Sequence, residues 1–395
     1  MRVLRKVLIQ GAIILAIAAA LYVFIDKTYG LFYPPRPYDN YSERLTSPSY
    51  VKEPYFSESF LAESFTQPGG WLTPENTRLV WPKQFHGKYF NIDQDTRTSA
   101  TYRRTINTSA QSEDTITILL LGGSALYGSE VPDEYTIASQ LSKILNQKHE
   151  QRYYIINAGV TSVNTSQELE RLQYELQHGL RPHIVLSYNG VNDVYQGIYT
   201  NNPDGVIFSA AQKKAAEHPT NNHIFPRIKN VIPLNIYSAL QARAVRENSR
   251  IAPKHMEDAA AIASVGKRTR DKYVQNVLAM QRLSREFHFI FFSMLQPTVF
   301  AVGAKTNNQD DVDIGFAQEL ARKQTPKLEV AFEVGYPLLK EAIKALRKQG
   351  IHAYDLSEIL NSKREPIYFD FCHINSHGNE IIATAMEVIL KSVEF

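Results

Sequence analysis

The residues of this chain whose types and order suggest chemistry are Ser124, Asp370 and His373. A serine hydroxyl is a weak nucleophile until a base removes its proton, and an imidazole with a pKa near neutrality is the usual base. The imidazole needs an acceptor on its other nitrogen, which fixes its tautomer and stabilises the imidazolium. Asp370 lies three residues before His373 in a short turn, so its carboxylate can bond one ring nitrogen while the other faces Ser124. These residue types predict acyl transfer through a serine nucleophile.

Acyl transfer also needs donors about 2.7–3.1 Å from the oxyanion of the tetrahedral intermediate. Three groups are candidates: the backbone N–H of Ser124, the backbone N–H of Gly159 and the side-chain amide of Asn192. Gly159 suits this task because it has no side chain to keep a substrate away from its N–H. We therefore predict an oxyanion hole formed by Ser124, Gly159 and Asn192, with no cofactor and no metal.

Each of these stretches has an ordinary alternative when it is taken alone. The sequences Asn157-Ala158-Gly159 and Gly190-Val191-Asn192-Asp193 are also typical of simple turns, in which Asn and Asp bond their own backbone. Asp370 and His373 could be surface residues ahead of a helix whose N-cap is Asn375 or Ser376. The order and placement of the four stretches favour the catalytic interpretation.

The element that must position the nucleophile is the stretch 115–124, which reads Thr-Ile-Thr-Ile-Leu-Leu-Leu-Gly-Gly-Ser. An apolar and β-branched run without polar alternation indicates a strand buried on both faces, as in a parallel sheet covered by helices. The two glycines allow a tight exit from this strand. Ser124 is then predicted at the carboxyl end of a central strand, where open α/β sheets place their sites.

Strand-like and helix-like segments alternate after residue 115, which predicts a doubly wound α/β domain with a five-stranded parallel sheet. The other four strands are predicted at 153–157, 183–187, 289–295 and 352–355, and the helices at 136–148, 167–177, 271–287, 331–348 and 376–391. In the last helix we expect Ile381, Ala385, Val388 and Ile389 to face inward. Because the carboxyl ends of parallel strands meet at one edge, the candidate residues can converge there.

The chain is predicted to have three parts. Residues 1–27 form an N-terminal membrane segment, 28–110 an extended tether that packs on the main domain, and 111–395 the catalytic domain. Two long polar stretches without a strand pattern, near 195–265 and 301–326, are too long for ordinary loops and are predicted as insertions.

The membrane segment is the apolar run from Val7 to Ile25, long enough to cross a hydrocarbon core of about 30 Å as a helix. Arg2, Arg5 and Lys6 precede it, so the positive-inside rule places the rest of the chain outside the cytoplasm. A cleaved signal peptide ending near 18–20 is the alternative, and a buried core helix is a third interpretation. The anchor is favoured because the apolar run continues past that cleavage site.

Composition excludes several other classes of function. A net charge of +3 gives no basic surface for nucleic acid. Cys372 is the single cysteine, so the chain can form no intrachain disulfide and no Cys-rich metal site, and we expect this cysteine to serve in packing. The 11 histidines show no metal-ligand spacing such as His-Glu-x-x-His.

Together, the four blocks resemble the SGNH/GDSL hydrolase superfamily, which has Ser, Gly, Asn and an Asp-x-x-His pair in this order. The matching residues are Ser124, Gly159, Asn192, and Asp370 with His373. One departure is clear: the first block usually reads Gly-Asp-Ser-Leu, whereas this chain has Gly-Gly-Ser-Ala at 122–125. The missing acidic side chain must be replaced by support from elsewhere, for which Asp193 or the insertions are candidates.

The resemblance implies a flavodoxin-like three-layer α/β/α fold and a serine esterase or acyltransferase that needs no metal. Membrane-anchored bacterial relatives with a Gly-Gly-Ser block imply an envelope enzyme acting on acyl esters, such as the O-acetyl groups of a surface polysaccharide. Two alternatives stay open. One is an O-acyltransferase of a surface glycan, and the other is a non-catalytic envelope protein that binds glycan in the same cleft.

Overall fold

The structure is a computed structural model. It describes residues 44–66, 71–72, 79–96, 98–205, 252–301, 312–361 and 365–393, together with isolated helical positions between 17 and 28. Most of the predicted insertion near 195–265 and the first half of the one near 301–326 lie outside the described residues.

The described strands, numbered in chain order, form one two-stranded and one eight-stranded sheet. They are β1 (Trp71–Leu72), β2 (Trp81–Pro82), β3 (Phe85–His86), β4 (Asn91–Gln94), β5 (Thr101–Arg103), β6 (Ile116–Gly122), β7 (Tyr153–Asn157), β8 (Ile184–Asn189), β9 (Ile290–Leu295) and β10 (His352–Asp355). The spatial order of the large sheet is β10-β9-β8-β6-β7-β5-β4-β3.

The large sheet corrects the prediction of a five-stranded parallel sheet. The five predicted strands are parallel neighbours in the order β7-β6-β8-β9-β10, the flavodoxin-like order. Beyond β7, however, β5, β4 and β3 add three antiparallel strands and make the sheet mixed. These strands come from the segment predicted as an extended tether. They were missed because strands of two to four residues are too short to show a period-two pattern.

Helices cover both faces of the large sheet. They are α1 (Pro48–Val51), α2 (Glu58–Thr66), α3 (Ser124–Tyr127), α4 (Ile137–Lys148), α5 (Thr165–Gln177), α6 (Val191–Val194), α7 (Ala259–Phe287), α8 (Val312–Gln324), α9 (Leu328–Lys348) and α10 (Ser376–Lys391). A π-helical turn, Tyr195–Tyr199, follows α6. One buried cluster joins α5, α7 and α9 to the sheet, and a second joins α4 and α10 to the other face, giving three layers.

Two helices differ from prediction. Helix α7 begins at Ala259 instead of residue 271, because the Asp258 side chain caps the N–H groups of Ala260 and Ala261 ahead of an alanine-rich run. The inward face of α10 was predicted wrongly at Val388, whose side chain is 59% exposed. Ile381, Ala385 and Ile389 pack half-buried against the core as predicted, beside the fully buried Ile382, Ala383, Met386 and Leu390.

The N-terminal part of the described chain packs against the turn that carries Asp370. Tyr50, Phe60, Phe90 and Phe369 belong to one buried cluster, and the rings of Tyr50 and Phe369 lie 4.3 Å apart. In the part of the chain that the structure describes, no helix combines the length and apolarity needed to cross a bilayer. Most of the predicted span 7–25 lies outside the described residues.

Candidate active site

The candidate nucleophile lies where β6 passes into α3. Strand β6 ends at Gly122, Gly123 is the N-cap, and Ser124 opens the helix. A Cβ on Gly122 would lie 2.6 Å from the carbonyl oxygen of Tyr188 on β8, so only glycine lets the two strands approach this closely. This point is also where the order of the parallel strands reverses, between β6 and β8, and α/β sheets bind their ligands at such points.

The structure brings Ser124, His373 and Asp370 into one hydrogen-bonded chain. His373 Nε2 lies 2.7 Å from Ser124 Oγ, and His373 Nδ1 lies 2.9 Å from each carboxylate oxygen of Asp370. A carboxylate can only accept a hydrogen bond, so the neutral ring of His373 must carry its proton on Nδ1. Nε2 is then unprotonated and accepts a hydrogen bond from the Ser124 hydroxyl. This tautomer is the one that can remove a proton from the serine.

A tight turn holds Asp370 in place. Its Oδ1 accepts the backbone N–H groups of Cys372 at 2.9 Å and of His373 at 2.8 Å, so the carboxylate is anchored to its own turn. The turn is closed by a bridge between Tyr368 and Ile374, with the Phe369 N–H donating to the His373 carbonyl at 2.8 Å. Acid and base are therefore positioned by one rigid hairpin-like loop before α10.

Asn192 lies beside the nucleophile turn, since a Cβ on Gly123 would lie 2.3 Å from its Nδ2. Its Nδ2 donates one hydrogen to the Val163 carbonyl at 2.8 Å, which orients the amide and leaves the second hydrogen for another acceptor. Among the described residues the Ser124 N–H also has no acceptor, because it belongs to the first turn of α3. Both groups are candidate donors to an oxyanion.

Gly159 is placed differently from the prediction. Its N–H donates to Asn157 Oδ1 at 3.0 Å, so this donor is already used. A Cβ at this position would lie 2.7 Å from the Tyr127 nitrogen, which gives Gly159 a packing reason to be glycine. The N–H predicted as an oxyanion donor is therefore already bonded within its own turn.

The loop after Gly159 contains a residue that the sequence did not reveal. Ser162 has a φ of 61°, a conformation that L-residues adopt reluctantly, and its carbonyl accepts from Gln196 Nε2. Its own N–H finds no acceptor within the described chain, and the next carbonyl, that of Val163, holds Asn192. Ser162 is thus a candidate third donor. The sequence gave no indication of this role for Ser162, because serine is not a residue type that predicts a left-handed backbone conformation.

The turn that carries Ser124 is held by hydrogen bonds from the N-terminal segment and from β7. Arg103 on β5 donates from Nε to the Tyr127 carbonyl at 3.3 Å, and Asn157 on β7 donates to the Leu126 carbonyl at 3.0 Å. These bonds satisfy the last carbonyls of α3. Asp193, the suggested replacement, instead accepts from the backbone and hydroxyl of Thr165 on α5.

Arg103 itself is fully buried. Its guanidinium pairs with Asp133 and donates to the Val131 carbonyl at 2.9 Å. Asp133 also accepts the backbone and side-chain N–H groups of Asn91 on β4, at 3.0 and 2.7 Å. The antiparallel strands β4 and β5 are therefore tied to the loop that follows the nucleophile.

A buried acid, Glu168, lies behind the site on α5. Burial raises the pKa of Glu168 to about 8, opposed by hydrogen bonds from Ser187 and Asn189. Glu168 therefore carries its proton at neutral pH, as a carboxyl in an apolar setting does. It also lines a cavity with Gly122, Val160 and Val163.

No protein-family model and no curated protein matches this chain. Among solved structures, it is similar to a member of the lipolytic protein G-D-S-L family from Veillonella parvula, with a TM-score of 0.39, 10% identity, and coverage of 70% of this chain and 98% of that one.

Two further solved structures are an acetyl xylan esterase, AlAXEase, and the psychrotrophic esterase EstA from a Pseudoalteromonas species. The first has a TM-score of 0.36 and 13% identity and covers 69% of this chain and 98% of its own. The second has a TM-score of 0.36 and 13% identity and covers 70% and 97%. These similarities are distant, and the function is inferred from the chain's own residues.

Proposed function

We propose that this protein is a serine esterase of the SGNH/GDSL type that hydrolyses acyl esters through Ser124, His373 and Asp370. The observation that carries the proposal is the continuous chain from Ser124 Oγ to His373 Nε2, at 2.7 Å, and from His373 Nδ1 to Asp370, at 2.9 Å. A nucleophile bonded to a base, which is bonded to an orienting carboxylate, is the arrangement that activates a serine.

The reaction has two halves. In the first, His373 Nε2 takes the Ser124 proton as Oγ attacks the ester carbonyl, and the resulting imidazolium then gives this proton to the departing alcohol. In the second, His373 Nε2 takes a proton from water as the water attacks the acyl-enzyme carbonyl, and the imidazolium then returns this proton to Ser124 Oγ as the acid leaves. Asp370 stays ionised and stabilises the imidazolium in both halves.

The tetrahedral intermediate in each half carries an oxyanion. The Ser124 N–H and the second Nδ2 hydrogen of Asn192 are its proposed donors, and the N–H of Ser162 is the proposed third in place of Gly159. Fixed donors of this kind stabilise charge in the transition state at no cost of reorganisation.

The direct test is hydrolysis of p-nitrophenyl acetate by the purified protein and by Ser124→Ala. The wild type should hydrolyse the ester and the variant should retain only the background rate. Ser109→Ala, a serine of the loop before β6, is the matched control and should keep the wild-type rate. Equal rates for wild type and Ser124→Ala would refute the esterase.

Labelling by a fluorophosphonate separates the esterase from a non-catalytic glycan-binding protein. A fluorophosphonate reacts with a serine that a neighbouring base has activated, so an esterase should be labelled at Ser124. A protein that only binds glycan does not need an activated serine. Labelling of the wild type and not of Ser124→Ala supports the enzyme. A wild type that stays unlabelled favours the binding module.

We further propose that the enzyme is tethered to a membrane through residues 7–25, with the site outside the cytoplasm, and acts on acyl esters of envelope carbohydrate. The cationic residues before the apolar run support the orientation. Cell fractionation of the full chain and of a variant lacking residues 1–27 tests the tether: only the full chain should sediment with membranes.

Transfer to a glycan hydroxyl is the alternative outcome of the same acyl-enzyme. It requires the acceptor hydroxyl to outcompete water, which depends on how the site is closed. Product analysis with an acyl donor and de-acylated envelope polysaccharide distinguishes the two, because a hydrolase yields free acid and a transferase yields acylated glycan.

A further inference from the structure

Asp370 lies in the chain between two backbone carbonyl groups, those of Tyr368 and Phe371, that other segments hold in place. The Phe371 carbonyl accepts the Thr298 hydroxyl at 2.7 Å and the Val299 N–H at 3.0 Å, both from the loop after β9. The Tyr368 carbonyl accepts hydroxyl groups from the N-terminal part of the chain. The donors to these two carbonyls therefore help to set the position of the turn that carries the proposed acid and base.

Two buried serines, Ser47 and Ser49, are the N-terminal donors. Ser47 Oγ lies 3.1 Å from the Tyr368 carbonyl oxygen, Ser49 Oγ lies 2.5 Å from it, and the two hydroxyl oxygens are 2.7 Å apart. Two hydroxyl groups carry only two hydrogens, so the three contacts cannot all be hydrogen bonds at once. Because Ser49 makes the shorter contact with the carbonyl, we expect it to donate there while Ser47 donates to Ser49.

Helix capping does not account for the direction of the Ser47 hydroxyl. A serine at the N-cap usually accepts an N–H group from the first turn of its helix. Ser47 is the N-cap of α1, yet its side chain makes no capping bond and reaches Tyr368 instead. Tyr50 on the same short helix packs its ring edge-to-face against Phe369, with the centroids 4.3 Å apart. The start of the described chain therefore contacts two successive residues that lead into Asp370.

The same N-terminal segment also contacts the loop that follows the nucleophile. Ser64 on α2 donates from Oγ to the Ser129 carbonyl at 2.9 Å, and the Ser129 N–H lies 3.4 Å from the Ser124 carbonyl. Residues 44–66, which we call the N-terminal clasp, thus bond to both loops that meet in the 2.7 Å contact between Ser124 and His373. A shift of either loop would change that contact.

We propose that Ser47 and Ser49 are positioning residues for the reaction, an inference that rests on the proposed esterase function. They act through the Tyr368 carbonyl, which fixes the start of the turn and so keeps the Asp370 carboxylate at 2.9 Å from His373 Nδ1. A misplacement of about 1 Å can cost roughly 10²-fold in rate, even when its cause is far from the chemistry. The segment that the sequence predicted as a tether is then part of the catalytic unit.

Hydrogen exchange measured by mass spectrometry tests the ordering of the turn without catalysis. The amides of Cys372 and His373 donate to Asp370 in the wild type. In the full-length double variant Ser47→Ala/Ser49→Ala, peptides containing these amides should exchange at least tenfold faster, because the turn opens more often. Peptides of α5 should exchange as in the wild type. Unchanged exchange in the turn, or equally accelerated exchange in α5, would overturn the proposal.

Steady-state hydrolysis of p-nitrophenyl acetate tests the consequence for the reaction. In the double variant kcat should fall at least tenfold while KM changes less than twofold, because the base is misplaced and the surface that binds the ester is not altered. Ser49→Ala should lose more activity than Ser47→Ala, since Ser49 is the direct donor. Ser59→Ala removes an exposed hydroxyl of the same clasp and is the matched control, with the wild-type rate expected.

The kinetic outcomes separate this inference from the proposed function. An active wild type whose kcat is unchanged in the double variant would overturn the positioning role and leave the esterase standing. If the wild type does not hydrolyse the ester, the proposed function and the positioning role in catalysis both fail. The exchange comparison then still decides whether the two serines order the turn.

Discussion

The side-chain amide of Asn192 occupies the space that a side chain at position 123 would need. A Cβ built on Gly123 lies 2.3 Å from Asn192 Nδ2 and 3.5 Å from the Val163 carbonyl oxygen. Glycine at this position therefore allows the proposed oxyanion donor to lie directly against the nucleophile turn. The glycine that departs from the Gly-Asp-Ser pattern is therefore what makes room for the Asn192 amide.

Restoring the familiar acidic residue should consequently harm the enzyme. In Gly123→Asp the new Cβ displaces the Asn192 amide, and loss of one oxyanion donor costs about 10²–10³ in kcat. Steady-state kinetics on an aryl ester measure this, with Gly315→Ala as control, since a Cβ at Gly315 meets nothing within 4 Å. A Gly123→Asp enzyme with wild-type kcat would contradict the assignment of Asn192.

Asp370→Asn should separate two roles of Asp370: fixing the tautomer of the His373 ring, and accepting the backbone N–H groups of its own turn. The amide oxygen can still accept the N–H groups of Cys372 and His373, but an NH₂ facing Nδ1 favours the wrong tautomer. We expect kcat to fall by about 10³–10⁴ while thermal stability changes little. Asp355→Asn, at the carboxyl end of β10, is the matched control and should stay near wild type. Retention of a tenth or more of the activity by Asp370→Asn would argue against its role.

Arg103→Leu tests whether the antiparallel strands support the nucleophile turn. The change leaves Asp133 buried without its guanidinium partner and removes the bond from Arg103 to the Tyr127 carbonyl. The free energy of unfolding should therefore fall by about 3–5 kcal/mol. Denaturant unfolding measures the loss. Arg104→Leu, whose partly exposed guanidinium pairs with Asp93, should cost about 1 kcal/mol or less. If the two variants lose similar amounts of unfolding free energy, the buried pair of Arg103 and Asp133 does not stabilise the protein more than the exposed pair does.

Glu168 should make stability fall as pH rises from about 5 to about 8. Its folded-state pKa of about 8 lies above the ordinary glutamate pKa of 4.5, so in this window the unfolded state releases the proton while the folded state keeps it. The loss is roughly 3–5 kcal/mol, because each unit of pKa difference is worth about 1.4 kcal/mol.

Glu168→Gln cannot titrate and should therefore show a flatter dependence of unfolding free energy on pH. Glu170→Gln, at a less buried position of the same helix, is the matched control. If Glu168→Gln and the wild type have the same slope between pH 5 and 8, the buried carboxyl does not carry its proton there.

The sequence by itself determined the alternating core and the residues at its strand ends. Hydrophobic runs such as 115–124 are long enough to predict strands that are buried on both faces. Because the strands are parallel, their carboxyl ends lie at the same edge of the sheet. That is why the sequence indicated Ser124 and Asn192, whereas Asp370 and His373 were indicated by their own spacing ahead of the last helix. The anchor at 7–25 and the side of the membrane remain predictions from composition.

Only the tertiary structure decided the relations that depend on close approach between distant segments. Strands β3–β5 are too short to show a period, and their membership in the sheet depends on pairing with β7. Whether the Gly159 N–H is free depends on the rotamer of Asn157, and the conformation of Ser162 depends on the bond from Gln196. Local residue types restrict the conformations that the backbone can adopt. Contacts between distant segments then determine which hydrogen-bond donors lie near Ser124.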